Sequence, residues 1–166
     1  MHALRLARLD PYLRCRHVER DPEKVEPVDL TDLVELLHLV PWRELGSDGP
    51  LWLNPTFGDQ SRPVGGADCD LISGDRLIDL KTTAKPAPNN DFRQLIVYLL
   101  LARAARAADP GFPQVASVGV YYARHRELVL VPLEKIAAKE VLDRAQKRFF
   151  VRVDKCFRGG PVDEAL

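Results

Sequence analysis

Hydrophobic and polar positions along this chain follow two different periods, and the switches between them mark its elements. Leu30, Leu33, Val34, Leu37 and Val40 recur at helical spacing, so a helix is predicted over residues 30–40 with Asp29 as its cap. Pro41 and the cluster Gly46-Ser47-Asp48-Gly49-Pro50 end that unit. Residues 51–57 read as a strand and 57–65 as a polar loop. From Gly66 to Thr83 the period is two, and the pattern is that of a hairpin turning at Gly74-Asp75. Residues 84–90, with two prolines and two asparagines, form a loop that ends in a helix cap. Residues 92–108 are apolar almost all round, which marks a helix buried on most sides, and Asp109-Pro110-Gly111 stops it. Residues 114–124 and 127–131, rich in Val and Tyr, are two further strands. Pro132 opens a last helix reaching residue 157, with a strand over 148–153 as the alternative because Phe149, Phe150, Val151 and Val153 fall there. Residues 4–14 form a short helical region broken at Asp10-Pro11, residues 18–28 a charged connector and residues 159–166 a loose tail. The order is α, β, β, β, α, β, then one more strand and helix. That is an α/β chain, a mixed sheet flanked by helices, in one domain over 1–166: a helical region at 3–14, a core over about 29–131 and a C-terminal helix over about 132–157.

Composition adds exclusions. The 166 residues are 46 % hydrophobic and 29 % charged, ordinary for a globular domain with a real core. The formal net charge is zero, so no global field draws the chain to nucleic acid or anionic membrane, and any basic surface is local. Residues 2–14 are amphipathic and Arg-rich without an apolar core run, so no signal peptide is expected there, and no apolar run is long enough to span a membrane. Three scattered cysteines, Cys15, Cys69 and Cys156, fit neither a disulfide framework nor a cysteine-only metal cluster. The expectation is a reduced, cytoplasmic protein.

The hairpin holds an anomaly. Its stretch Gly66-Ala67-Asp68-Cys69-Asp70-Leu71-Ile72 and its return Leu77-Ile78-Asp79-Leu80-Lys81-Thr82-Thr83 carry four charges inside two apolar strands, where Asp is depleted. With the turn at Gly74-Asp75, antiparallel partners place Asp70 opposite Asp79 and Asp68 opposite Lys81. Alternation then gathers all four on one face and leaves Cys69, Leu71, Ile78 and Leu80 on the other, toward a core. Two carboxylates about 5 Å apart at an effective dielectric near 20 repel by roughly 3 kcal/mol, about two pKa units. A divalent cation would relieve that repulsion, since hard ions take carboxylate oxygens. The competing account is an Asp68–Lys81 salt bridge with Asp70 and Asp79 on a solvated face.

These residues resemble the RecB-like branch of the PD-(D/E)XK nuclease superfamily. That branch shows a glycine, an Asp before small apolar residues, and an apolar strand ending Asp-x-Lys, matched here by Gly66, Asp70-Leu71-Ile72 and Asp79-Leu80-Lys81. It also carries Gln-x-x-x-Tyr on the next helix, matched by Gln94 and Tyr98, four apart on one helix face. The resemblance covers about residues 30–122. It implies a restriction-endonuclease-like αβββαβ core, to which this chain adds a strand and a C-terminal helix.

It further implies a metal-dependent nuclease that hydrolyses phosphodiester bonds, of DNA in the first place, with Mg²⁺ or Mn²⁺ as cofactor. Asp70, Asp79 and the Leu80 carbonyl would ligate the metal, with Asp68 as runner-up to Asp70. Lys81 would position the attacking water, and Gln94 and Tyr98 would hold lysine, metal or phosphate. Relatives often add a Glu or His from the first core helix, for which Glu35 and His38 are the candidates. An iron–sulfur cluster of four cysteines is beyond a chain with three. Nucleic-acid contact is expected from Arg144, Lys147, Arg148, Arg152, Lys155 and Arg158 on one side of the last helix, and Tyr121 or Tyr122 could stack a base. The alternative function is a non-catalytic or partner-dependent nucleic-acid-binding or assembly module that keeps the nuclease fold.

Overall fold

The computed structural model describes residues 24, 26–46 and 49–157. The predicted helical region at 3–14, Cys15 and Arg158 lie outside these. Contacts group the chain into two compact units, Met1–Val40 and Pro41–Leu166.

In the first unit, helix α1 runs over Pro27–Leu39. It begins earlier than the hydrophobic period suggests, because Pro27 occupies the first turn, where its missing N–H is no loss. Asp29 therefore sits inside the first turn, Glu26 takes the cap position, and no side chain caps the helix. Leu36 is buried, whereas Val34 and Leu37 are exposed.

The second unit is built on a five-stranded mixed sheet in chain order: β1 (Leu51–Leu53), β2 (Leu71–Ser73), β3 (Arg76–Lys81), β4 (Ser117–Tyr122) and β5 (Glu127–Pro132). A one-turn helix α2 (Trp42–Leu45) precedes it. The buried Leu45 carbonyl accepts hydrogen bonds from Ser73 Oγ and, at 3.0 Å, from Arg76 Nη2. β1, β2 and β3 form an antiparallel meander, β4 lies parallel to β3, and β5 returns antiparallel. The hairpin register is the expected one: Leu71 faces Ile78 and Ser73 faces Arg76 across Gly74-Asp75. Gly74 takes φ 58° at the first turn position, which glycine adopts without strain. At Gly119 a Cβ would come within 2.7 Å of the Val129 carbonyl oxygen, so only glycine lets β5 pack this closely.

A parallel pair needs a crossover, and helix α3 (Pro88–Ala108) supplies it. It starts at Pro88, before the asparagines expected to cap it, with Ala87 in the cap position. Leu95, Leu99, Leu101, Ala102 and Ala105 pack with Ile72, Leu77, Val118 and Val120 from the sheet, and Leu100 and Ala104 are buried as well. Truncating Leu99, which is fully buried, should cost about 2–5 kcal/mol.

The predicted 57–65 loop is instead a 3-10 helix over Gly58–Val64. The predicted last helix is broken: a single turn α4 (Leu133–Ile136), an extended Ala137, then α5 (Lys139–Phe157). Residues 148–153 are helical, not a strand, because Phe149 and Phe150 pack on the core from a helix face.

Candidate active site

Alternation along β3 puts Leu77, Asp79 and Lys81 on the face covered by α3. The charges anticipated on a separate polar face thus lie between sheet and helix. Asp79 is 3 % exposed. Its Oδ2 lies 2.6 Å from Lys81 Nζ but accepts no hydrogen bond among the described residues. Lys81 Nζ donates to Gln94 Oε1 at 2.7 Å, and Gln94 Nε2 donates to Tyr98 Oη at 2.7 Å. Phe57 stacks on Tyr98 with ring centroids 5.7 Å apart. A continuous polar chain, Asp79–Lys81–Gln94–Tyr98, therefore ties the end of β3 to one face of α3.

Asp70 joins from the other side of the hairpin. Its Oδ2 accepts the Leu80 N–H at 2.6 Å. In an extended strand a residue's N–H and C=O point the same way, so the Leu80 carbonyl shares that edge with Asp70. Asp70 is exposed. Partial burial nevertheless raises its pKa, the Leu80 N–H opposes this, and the Asp79 charge raises it further. Burial also raises Tyr98, against the pull of its bond from Gln94. Cys69, buried in the cluster under α3, is pushed up to about 12, first by burial and then by Asp70 and Asp68. Its thiol stays protonated and unreactive at neutral pH.

Asp68 is not opposite Lys81. The ladder with β3 ends at Leu71, and the residues before it follow the extension of β1: Asp68 bridges Thr56, the Cys69 N–H donates to Pro55 O at 3.2 Å and the Asn54 N–H to Asp70 O at 2.9 Å. Asp70 then fills with its side chain the position a backbone partner of Leu80 would hold. Glu35 and His38 are exposed on α1, and the site described here is built from the second unit alone. Tyr121 and Tyr122 are both buried, so neither presents a face to a base. Arg144, Lys147, Arg148, Arg152 and Lys155 are exposed on α5, opposite the face bearing Leu142, Phe149 and Phe150.

Two supporting residues escaped the sequence pattern. Asp91, buried at the start of α3, accepts hydrogen bonds on Oδ2 from Tyr122 Oη at 3.0 Å and from the Ala87 N–H at 3.2 Å. Its signal was legible: Asp91, Gln94 and Tyr98 are spaced i, i+3, i+7 on one helix face. Phe57, from the end of a loop, carried no such signal.

Among the described residues no group of three His, Cys, Asp or Glu side chains is arranged to hold a metal ion. The available donors are a carboxylate pair and a backbone carbonyl. No family model, curated protein or solved structure matches the chain.

Proposed function

We propose that this protein is a divalent-metal-dependent nuclease of the RecB-like PD-(D/E)XK type, hydrolysing phosphodiester bonds, with DNA as the first substrate to test. The observation that carries the reading is the ion pair of Asp79 with Lys81 continued by hydrogen bonds to Gln94 and Tyr98, the residues on which the motif resemblance rests.

The donor set fits a hard cation. Asp79 Oδ2 is buried, with the Lys81 ammonium at 2.6 Å but no hydrogen bond accepted among the described residues, and Asp70 has a raised pKa. A cation between the buried Asp79 oxygen and the exposed Asp70 carboxylate would offset the burial of the one charge and the repulsion between the two. Asp70, Asp79 and the Leu80 carbonyl would hold Mg²⁺ or Mn²⁺, with water and substrate oxygens completing the shell. When bound, the ion supplies a Lewis acid and lowers the pKa of water. The chain's own residues do the rest. Gln94 aims the Lys81 ammonium, and Tyr98, fixed by Phe57, holds the Gln94 amide in the orientation that presents its oxygen to lysine. Lys81 steadies negative charge gathering on phosphoryl oxygens. The exposed basic residues of α5 attract the phosphate backbone.

A second reading has one observation in its favour: Lys81 already gives Asp79 a counter-ion at 2.6 Å. The same residues would then be an internal polar tie in a non-catalytic or partner-dependent binding module. Purified protein incubated with linear and circular, single- and double-stranded DNA and RNA, with Mg²⁺, Mn²⁺ or EDTA, separates the two. Cleavage that needs metal and disappears in Asp79→Asn supports the nuclease. Absence of cleavage on every substrate, together with no metal-induced rise in melting temperature, favours the module.

A further inference from the structure

β1 ends the sheet on the side away from β5. Its bonds to β2 are fixed by the Asn54 N–H donating to Asp70 O and the Gly74 N–H donating to Pro50 O, with Trp52 opposite Ile72. Positions 50, 52 and 54 therefore face β2, and Leu51 and Leu53 turn their N–H and C=O groups outward. No strand among the described residues pairs with this edge, which thus offers two donors and two acceptors. Leu51, Trp52 and Leu53 are 39, 42 and 64 % exposed. The strand itself, Leu-Trp-Leu, carries no charge, one of the devices that normally blunt an exposed edge.

The pattern is self-complementary. A second β1 turned antiparallel about a two-fold axis through Trp52 sets Leu51 opposite Leu53 of the other copy, twice. The outward groups then meet as four N–H···O=C bonds. Trp52 meets its own copy in the closely spaced, non-hydrogen-bonded position, on the α3 side, where its ring lies 6.4 Å from Phe112. Beside it is a cleft of about 460 Å³ lined by Trp52, Phe57, Ala105, Ala108 and Phe112, room for the indole of the other copy. Pro50 and Asn54, the latter at φ 50°, bound the window to three residues. A longer extended peptide would gain no more bonds than β1 itself. Zero net charge lets two copies approach without long-range repulsion.

We propose that β1 is a dimerisation edge, pairing antiparallel with β1 of a second copy in the register Leu51 to Leu53 and joining two five-stranded sheets into one. The inference is independent of the nuclease reading. Sedimentation equilibrium of the full chain over a concentration series should show the mass doubling, and Leu53→Lys should hold it at the monomer value, with a melting temperature equal to that of the wild type at dilutions where the wild type is monomeric. The register is read separately by cross-linking in a Cys15→Ser, Cys156→Ser background with diamide as oxidant. Leu51→Cys mixed with Leu53→Cys should form disulfide-linked dimers, because hydrogen-bonded partners sit at about 5.5 Å, within disulfide range. Either variant alone should not, because each residue lies beyond that range from its own copy. A monomer at every concentration, a dimer that survives Leu53→Lys, or cross-linking equal in the unmixed variants would overturn the proposal.

Discussion

Lys81 meets a carboxylate and an amide oxygen at once, and this makes it the residue whose removal is most informative. Lys81→Ala leaves Asp70 and Asp79 free to ligate, so calorimetric Mg²⁺ or Mn²⁺ affinity should persist or rise. Single-turnover cleavage should fall by about 10²–10³, the usual loss for one electrostatic donor. Near-normal cleavage would remove Lys81 from the chemistry. The two aspartates should part company when neutralised without metal. Asp70 has a raised pKa, so its contribution to stability is fully present below the ordinary carboxyl range and lost as pH rises through the raised value. At pH 7 its charge is therefore a net cost. Asp70→Asn removes that charge, can still accept from the Leu80 N–H, and should melt at or above the wild-type temperature. Asp79→Asn instead leaves the Lys81 ammonium, 22 % exposed, without its counter-ion. It should lose on the order of 1–2 kcal/mol, discounted for that exposure. On the nuclease reading metal should raise the melting temperature of the wild type and of neither variant, and thermal melts with and without metal read all four outcomes.

At the scale of elements, α3 is tied to the sheet by two polar clasps, Gln94 to Lys81 on β3 and Asp91 to Tyr122 on β4. The Tyr122 hydroxyl is pushed up to about 12, first by burial and then by its bond to Asp91. A raised tyrosine contributes stability that is fully present below about pH 10 and is lost as pH climbs toward 12. Tyr122→Phe should flatten the alkaline fall in melting temperature, and Asp91→Ala, which strands a buried hydroxyl and an N–H, should cost about 1–3 kcal/mol in denaturant titrations. A flat wild-type profile above pH 9 would contradict the first. Most of this architecture was legible in the sequence. The Gly74-Asp75 turn fixed the register, and the all-apolar run after Phe92 announced a buried crossover helix. Tertiary contacts decided the rest. Asp68 left β3 because Thr56, beyond the end of β1, takes its bridge, a choice no local pattern records. The helix starts moved to Pro27 and Pro88 because proline's fixed φ suits a first turn better than a polar cap one turn later. Phe149 and Phe150 fit either period, and only the core they meet makes them helical.

For the molecule as a whole, the net charge is zero, so the proposed nucleic-acid affinity would have to come from a local basic surface. If the basic face of α5 is that surface, Arg148→Ala with Arg152→Ala should weaken binding across all sequences and reduce the slope of log affinity against log salt by about 2. The metal-induced melting shift should stay intact, because neither arginine is among the candidate ligands. An unchanged salt slope would assign binding elsewhere. The parallel pairing of β3 with β4 also imposes an order of assembly. β2 and β3 meet across a two-residue turn and close almost no loop. β3 and β4 can pair only after the whole of α3 and its flanking segments has been spanned, which costs chain entropy before any contact offsets it. The Asp91–Tyr122 clasp forms through that closure, whereas Lys81 and Gln94 can meet as soon as α3 docks on β3. A chain emerging from the ribosome thus displays Asp70, Asp79 and Lys81 well before Tyr122 exists to clasp the helix, and this second tie between α3 and the sheet waits until β4 has left the exit tunnel and docked.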